Sequence, residues 1–425
     1  MTDTTTISKI PPVTEISKSP FYYVKKRLLS NKPAMAGLVL IIISIVLALL
    51  GYLIMPDNTP NANDSAPQIK KRPPIFRVKL LKERRNQEVK KVDFFTKLIN
   101  GQESEYSITP IVSYRIDENK MIAYIRMFGD EANEQKRSIV DALLPLYIGR
   151  SFKIEPGEGL GNYEMNGDMV TYLDINELAM KMSKKDMLEH FKRECIEERT
   201  YWLGTDMQGR DMLSRLLFGI RISLSIGLIS VLISFFVGLT LGSLAGFFGG
   251  KVDAFIMWIM TVVWSIPSIM LVIAISLALG SRGIWVAFVA VGLTTWVEIS
   301  RVVRGQILGV KQKLFVEAAR SLGISNRRII INHILPNILG PLIVIMASNF
   351  ASAILTEAGL SFLGLGVQPP MPSWGSMINE GFAVIGSSDS FHLIFYPSLS
   401  ICLLVLAFNL FGNGLRDAYD PTAKK

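Results

Sequence analysis

The run Ala34–Met55, "AMAGLVLIIISIVLALLGYLIM", constrains this chain more than any other stretch, because it contains no charged residue. About 20 apolar residues in helical form, rising ~1.5 Å each, cross the hydrocarbon core of a bilayer. Lipid offers the backbone no hydrogen-bond partners, so such a run crosses as a helix. Further apolar runs occupy 222–248, 254–279, 283–300, 338–363 and 393–412, which predicts six transmembrane helices. With 49% hydrophobic residues and a mean hydropathy of +0.34, the 425-residue chain is too apolar for an ordinary soluble enzyme. The expected organisation is a cytoplasmic segment 1–33, a first span 34–55, an inserted domain 56–200 and a five-helix core 201–425.

The net charge of +9 is distributed as in a membrane protein rather than a nucleic-acid binder. Lys25, Lys26, Arg27 and Lys32 precede the first span, which predicts a cytoplasmic N-terminus. The polar N-terminal stretch and the lack of a small-residue cleavage site do not fit a secretory signal. Six spans return the C-terminus to the cytoplasm. The segment Ser300–Asn337 carries Arg301, Arg304, Lys311, Lys313, Arg320, Arg327 and Arg328, whereas Gly364–His392, expected outside, carries no Lys or Arg. Arg210, Arg215 and Arg221 fit this pattern less well, and are assigned to an interfacial helix, "RDMLSRLLFGI", lying on the outer surface.

Between the first two spans lies a long polar region that reads as folded and α+β. "YSITPIVSYRI" and "KMIAYIRMF" predict a strand pair with a turn at Asp117–Asn119. "SKKDMLEHFKRECIEER" predicts a helix capped by Ser183, with Leu188, Phe191 and Cys195 on one face. One span before it places this domain outside the cytoplasm. Its basic stretch from Lys70 to Lys97 does not count against that, because loops this long escape the charge rule. Cys195 lies in this polar region and Cys402 inside an apolar run, so a disulfide between them is not expected.

The basic loop at about 300–337 contains "VKQKLFVEAARSL", with Phe315, Ala318, Ala319 and Leu322 at helical spacing. Two alanines make that face shallow enough for close approach by a partner. Gly323 is placed to end the helix in the left-handed conformation, Ser325 to cap a second helix, and Pro336 to break or kink it at the membrane boundary. The expectation is a helix-turn-helix on the cytoplasmic surface with an apolar face outward. By spacing alone that face serves lipid and neighbouring spans as well as it serves a partner.

"EAARSLG" followed by "HILP" resembles the EAA loop of bacterial ABC-importer permeases, with His333 standing where that pattern prefers isoleucine. "LGTDMQGRDMLSRLLFGIRISLSIG", "EAGLSFLGLGVQPPMPSWGSMINEG" and "NLFGNGLRDAYDP" resemble the dipeptide/oligopeptide (peptide/nickel) group of these permeases. "SPFYYVKKRLLSNKPAMAGLVLIIISIV" is similar to the opening of the group's C-type subunit. Together these stretches cover 20–55 and 200–425; residues 56–200 are longer than the family's usual first external loop. The resemblance implies a type I ABC-importer permease fold in the bacterial inner membrane, with di- or oligopeptides as cargo. It implies a homologous permease as heterodimer partner, two ATPase subunits and an extracytoplasmic solute-binding protein. Glu317, Ala318, Ala319, Leu322, Gly323 and Phe315 would form the coupling helix. A nickel-importer permease of the same group is the close alternative. An ion-coupled carrier or channel, or an envelope scaffold anchored by its spans, are alternatives from other classes.

The residues themselves offer no catalysis. The nearest approach to a phosphate-binding loop, at Gly250–Lys251, has Ala245 in place of the first glycine and Val252 after the lysine. ATP and Mg therefore belong to partner subunits. His190, His333 and His392 show no metal-ligand spacing, and no serine sits in a hydrolase elbow. Gly238, Gly242 and Gly246 repeat every four residues, a stripe for close helix packing within the subunit or across a heterodimer seam. Glu357 interrupts the fifth apolar run near its outer end, where it either braces the outer mouth or meets substrate. Glu298, Arg301 and Arg304 read as solvated interfacial charges.

Overall fold

The computed structural model describes residues 20–147, 162–280, 283–387 and 389–419. Residues 1–19 of the expected cytoplasmic segment lie outside them. Helix α1 (Pro20–Ser30) leads into α2 (Lys32–Ile54), whose Asn31 cap accepts from the Ala34 N–H at 3.1 Å. The inserted domain then builds two antiparallel sheets. Strands β1 (Phe76–Arg84), β2 (Tyr106–Asp117), β3 (Ile122–Met127) and β4 (Asp130–Ser138), with the helix α3 (Phe94–Asn100) between β1 and β2, make up most of the larger one. After α4 (Ile139–Leu143), strands β5 (Tyr163–Asn166), β6 (Met169–Leu173) and β7 (Ala179–Ser183) form the smaller sheet. Helix α5 (Lys184–His190) leads back to β8 (Ile196–Tyr201), which completes the order β4-β3-β2-β1-β8.

The predicted strand pair is β2–β3, with Ile116 opposite Ala123. The predicted helix starts at its Ser183 cap but ends sooner than its charges suggest. A π turn, Phe191–Cys195, closes it, and Ile196 onward is strand. Phe191 and Cys195 are fully buried beside Leu81, Ile111 and Met187, so the apolar face is where the periodicity put it. Burial pushes the Cys195 thiol up to about 12, which makes it inert, and both cysteines are free.

The membrane part continues with α6 (Met212–Phe248), α7 (Gly250–Ser265), α8 (Ser268–Ala278), α9 (Ile284–Val310), α10 (Leu314–Ser321), α11 (Asn326–Arg328), α12 (Leu335–Phe362), α13 (Trp374–Phe382) and α14 (Phe391–Tyr419). Among the described residues five helices are long and apolar enough to cross a membrane, and a bent pair brings the number to six if it counts as one span. The run predicted at 254–279 is that pair: α7 and α8 are bent by 95° at Ile266–Pro267. Proline pushes its predecessor out of the helical region, and Ile266 is extended at φ −88°, ψ 129°.

The interfacial helix expected for "RDMLSRLLFGI" does not exist as a separate element. Asp211 caps α6 by accepting from the Ser214 N–H at 2.8 Å, and the helix runs unbroken into the span. Its arginines are gripped by protein rather than laid on a surface. Arg210 and Arg215 share Asp206 and Glu380, with Arg210 Nε 2.6 Å and Arg215 Nε 3.1 Å from the Asp206 carboxylate. Burial pushes the Glu380 carboxyl up, and Arg215 and Arg210 oppose that shift. The insertion is fixed to this end of the helices: the Asp57 N–H donates to Ser214 Oγ at 2.9 Å, and His392 Nε2 meets the Thr205 carbonyl at 3.1 Å. At the opposite end Asn31 Nδ2 donates to Asp417 at 3.5 Å, so the described chain ends share one side.

Candidate functional site

The basic loop between α9 and α12 is held by its own apolar residues. Val316 and Ala319 point into a cluster with Phe247, Ile307, Ile329, Ile334 and Ile338. Lys311 Nζ donates to the Phe247 carbonyl, and the Arg320 guanidinium lies 5.9 Å from the Phe247 ring. Gly323 adopts φ +73°, and its N–H bonds the Arg320 carbonyl while the Ile324 N–H bonds that of Ala319. That pairing is a complete Schellman stop, which a Cβ at Gly323 would strain.

The sequence periodicity put Phe315, Ala318, Ala319 and Leu322 on one outward face; the structure divides them. Ala319 is buried, whereas Phe315, Ala318 and Leu322 remain exposed together with Leu314 and Glu317. Leu314 and Leu322 are 83% and 80% exposed, a large apolar area for a loop on a basic surface. Helix α10 therefore has two apolar faces, one seated and one free. Val316 and Ala319 turn inward because residues of α6, α9, the π segment and α12 together form the apolar pocket below them.

Pro336 does not break the second helix. A continuous helical path runs from Asn326 to Phe362, with Ile329–Ile334 in π form and Pro336 in the first turn of α12. The Leu335 N–H reaches back to Ile330, and Asn337 Nδ2 donates to the His333 carbonyl at 2.6 Å. The wider turn accommodates the proline that an ordinary α turn would reject. Ser325 stands at the cap position with extended backbone, but its side chain makes no capping bond.

Helix α9, which leads into this loop, packs closely on α6. Gly238, Gly242 and Gly246 all face α9: a Cβ at Gly238 would meet the Trp296 carbonyl at 2.8 Å, one at Gly242 the Ser300 carbonyl at 2.5 Å, and one at Gly246 the Arg304 carbonyl at 3.0 Å. The stripe thus lets two backbones touch within this subunit. Arg304 is not a solvated charge. It forms a bidentate pair with Asp253 of α7, both contacts at 2.6 Å, and Arg301 stacks over Trp264. Glu298 alone of the three is exposed.

Glu357 is fully buried inside the subunit, where it accepts from Ser361 Oγ at 2.7 Å. Ser361 Oγ in turn accepts from the Val367 N–H at 3.1 Å. The carboxylate ties the end of α12 to the following loop and offers no surface to a substrate in this chain, contrary to a place on the path. Sequence reasoning missed the Asp206–Arg210–Arg215–Glu380 cluster. The four-residue spacing of Asp206 and Arg210 was the available signal, but nothing local brings Glu380 to them. Among the described residues no group of three His, Cys, Asp or Glu gathers as a metal site.

Residues 238–425 match the family described as "binding-protein-dependent transport system inner membrane component", and residues 19–74 match the "N-terminal TM domain of oligopeptide transport permease C". The chain is 46% identical over 224 residues to the glutathione transport system permease protein GsiD of Pectobacterium atrosepticum, covering 53% of this chain and 73% of that one. It is 38% identical over 227 residues to the oligopeptide transport system permease protein OppC of Bacillus subtilis, again covering 53% and 73%. Among solved structures it is similar to the inward-facing MetNI methionine ABC transporter, with TM-score 0.42 and 20% identity, covering 49% of this chain and 98% of that one.

Proposed function

Because this chain belongs to the binding-protein-dependent ABC-importer permeases, as a relative of the OppC, DppC and GsiD subunits, we propose that the free face of α10 is where its ATPase attaches. The protein is a multi-pass inner-membrane transport subunit and not an enzyme; ATPase and binding-protein partners follow from the family. The cargo is a short peptide, the class that includes the glutathione and oligopeptides in its relatives' names. Within the importer it pairs with a homologous permease, and two ATPases, which carry the ATP and Mg, grip the paired α10 loops. Both termini lie in the cytoplasm with α10, a reading supported by the basic residues of Ser300–Asn337 and by the shared side of the chain ends.

The observation that carries this reading is the division of α10. Val316 and Ala319 seat the helix on its own subunit while Leu314, Phe315, Ala318 and Leu322 stay free for a partner's cleft. Closure of the ATPases on ATP would shift α10, and the backbone contact of α9 with α6 would carry that shift as a rigid body into the membrane. An affinity-tagged chain should therefore retain its ATPase through purification. Glu317→Lys with Gly323→Pro should abolish that retention, by reversing a charge on the exposed face and removing the left-handed stop. A complex that survives both changes intact would refute docking at α10.

A further inference from the structure

The inserted domain carries an apolar surface that its own core does not use. On α3, Phe94, Phe95 and Ile99 are 60%, 72% and 63% exposed, and Val92 just before them is exposed as well. Asp93 caps this helix, accepting from the Phe95 and Thr96 N–H groups, so its short form is well defined. We propose that α3 is a membrane foot: these side chains enter the outer leaflet of the bilayer and anchor the insertion to lipid.

The level at which α3 is held identifies lipid as the occupant. Arg221 of α6 donates to the Leu98 and Ile99 carbonyls at the end of α3, at 2.9 and 2.6 Å. The same guanidinium donates to the Ala48 and Leu49 carbonyls of α2, at 2.9 and 3.5 Å. Its charge thus meets carbonyls at the end of α3, where the backbone is most electronegative, together with carbonyls inside α2. Ala48 and Leu49 lie inside the uncharged run that ends at Met55, about 10 Å short of its end at ~1.5 Å per residue. An element sharing Arg221 with them lies at that depth. Beside it, Leu49, Leu50, Leu53 and Ile54 of α2 are exposed, so the foot continues the span's own lipid-facing surface.

Two further contacts fix the depth. The Gln102 N–H donates to the Asn58 carbonyl at 3.0 Å, and Gly101 is packed against Tyr52, where a Cβ would meet the ring at 2.7 Å. Lys90 and Lys91 are exposed next to the apolar residues, and Lys97 lies on the helix itself. A short apolar face sunk ~5–10 Å, with lysines at headgroup level, is the pattern of an interfacial anchor.

The test uses the full-length chain with Cys402→Ser, since Cys195 is buried, reconstituted in phosphatidylethanolamine/phosphatidylglycerol vesicles. An environment-sensitive thiol fluorophore is placed by Phe95→Cys, in a second protein by Ile99→Cys, and in a reference protein by Glu131→Cys on exposed β4. At Phe95 and Ile99, shallow spin-labelled lipid should quench about threefold or more better than aqueous iodide, with the order reversed at Glu131. Arg221→Gln should raise iodide quenching at Phe95. Iodide dominance at both α3 positions would overturn the proposal. So would protection from both quenchers, which would mean that protein covers the face.

Discussion

Gly242→Leu is expected to destroy the packing of the membrane core rather than merely loosen it. A Cβ at Gly242 already lies 2.5 Å from the Ser300 carbonyl and 2.8 Å from Val303 Cβ, and leucine adds three more atoms in that direction. Overpacking costs about 1–3 kcal/mol where neighbouring side chains can yield. Here the neighbour is the backbone of α9, which Gly292 brings close from the other side: a Cβ there would meet Ile233 at 2.8 Å. A loss of about 3 kcal/mol or more follows, roughly 6–12 °C in melting temperature for a core of this size. Gly305→Ala on the same helix α9 is the control, since nothing lies within 4 Å of its Cβ. It should hold or raise the melting temperature, through better helix propensity. Thermal melts of the detergent-purified variants decide between them, and equal melting would refute the α6–α9 contact.

Arg215→Ala should be comparably damaging for an electrostatic reason. The Arg215 side chain is 2% exposed, and its partners Asp206 and Glu380 are 4% and 21% exposed. Removing it leaves two poorly solvated carboxylates sharing Arg210 alone. Breaking a buried pair from one side costs about 3–5 kcal/mol, because the remaining charge stays desolvated. Arg115→Ala provides the contrast: that arginine is 69% exposed and 3.6 Å from Glu134, so its loss should cost under about 0.5 kcal/mol. A thermal melt of the two variants would separate them. A mild Arg215 phenotype would mean that water solvates the cluster.

The transmembrane framework was legible in sequence because lipid imposes a requirement that composition records directly. Ala34–Met55 had one outcome open to it, and α2 follows it within two residues at each end. Gly323 and Ser183 were legible for the same local reason, a backbone conformation or a cap that few residues supply. What was not legible depended on distant partners. Arg215 looked like a surface charge until the fold brought Glu380 to it. Ala319 looked outward until the π segment and α12 placed Ile334 and Ile338 beneath it. Pro336 looked like a break or a kink because the π turn that accommodates it has no sequence signature. Most of the insertion's topology was hidden as well: β1 pairs with both β2 and β8, across more than a hundred residues of chain.

The central claim is that ATP-driven import passes through the exposed face of α10. The most direct measurement is ATP-dependent accumulation of a labelled short peptide in proteoliposomes holding the full importer and its binding protein. Wild type is compared there with Phe315→Asp/Leu322→Asp. Phe315 and Leu322 are exposed, so their replacement leaves the seat of Val316 and Ala319 untouched. The account predicts wild-type melting, with uptake reduced to the level seen without ATP. Uptake that persists at the wild-type rate would contradict it.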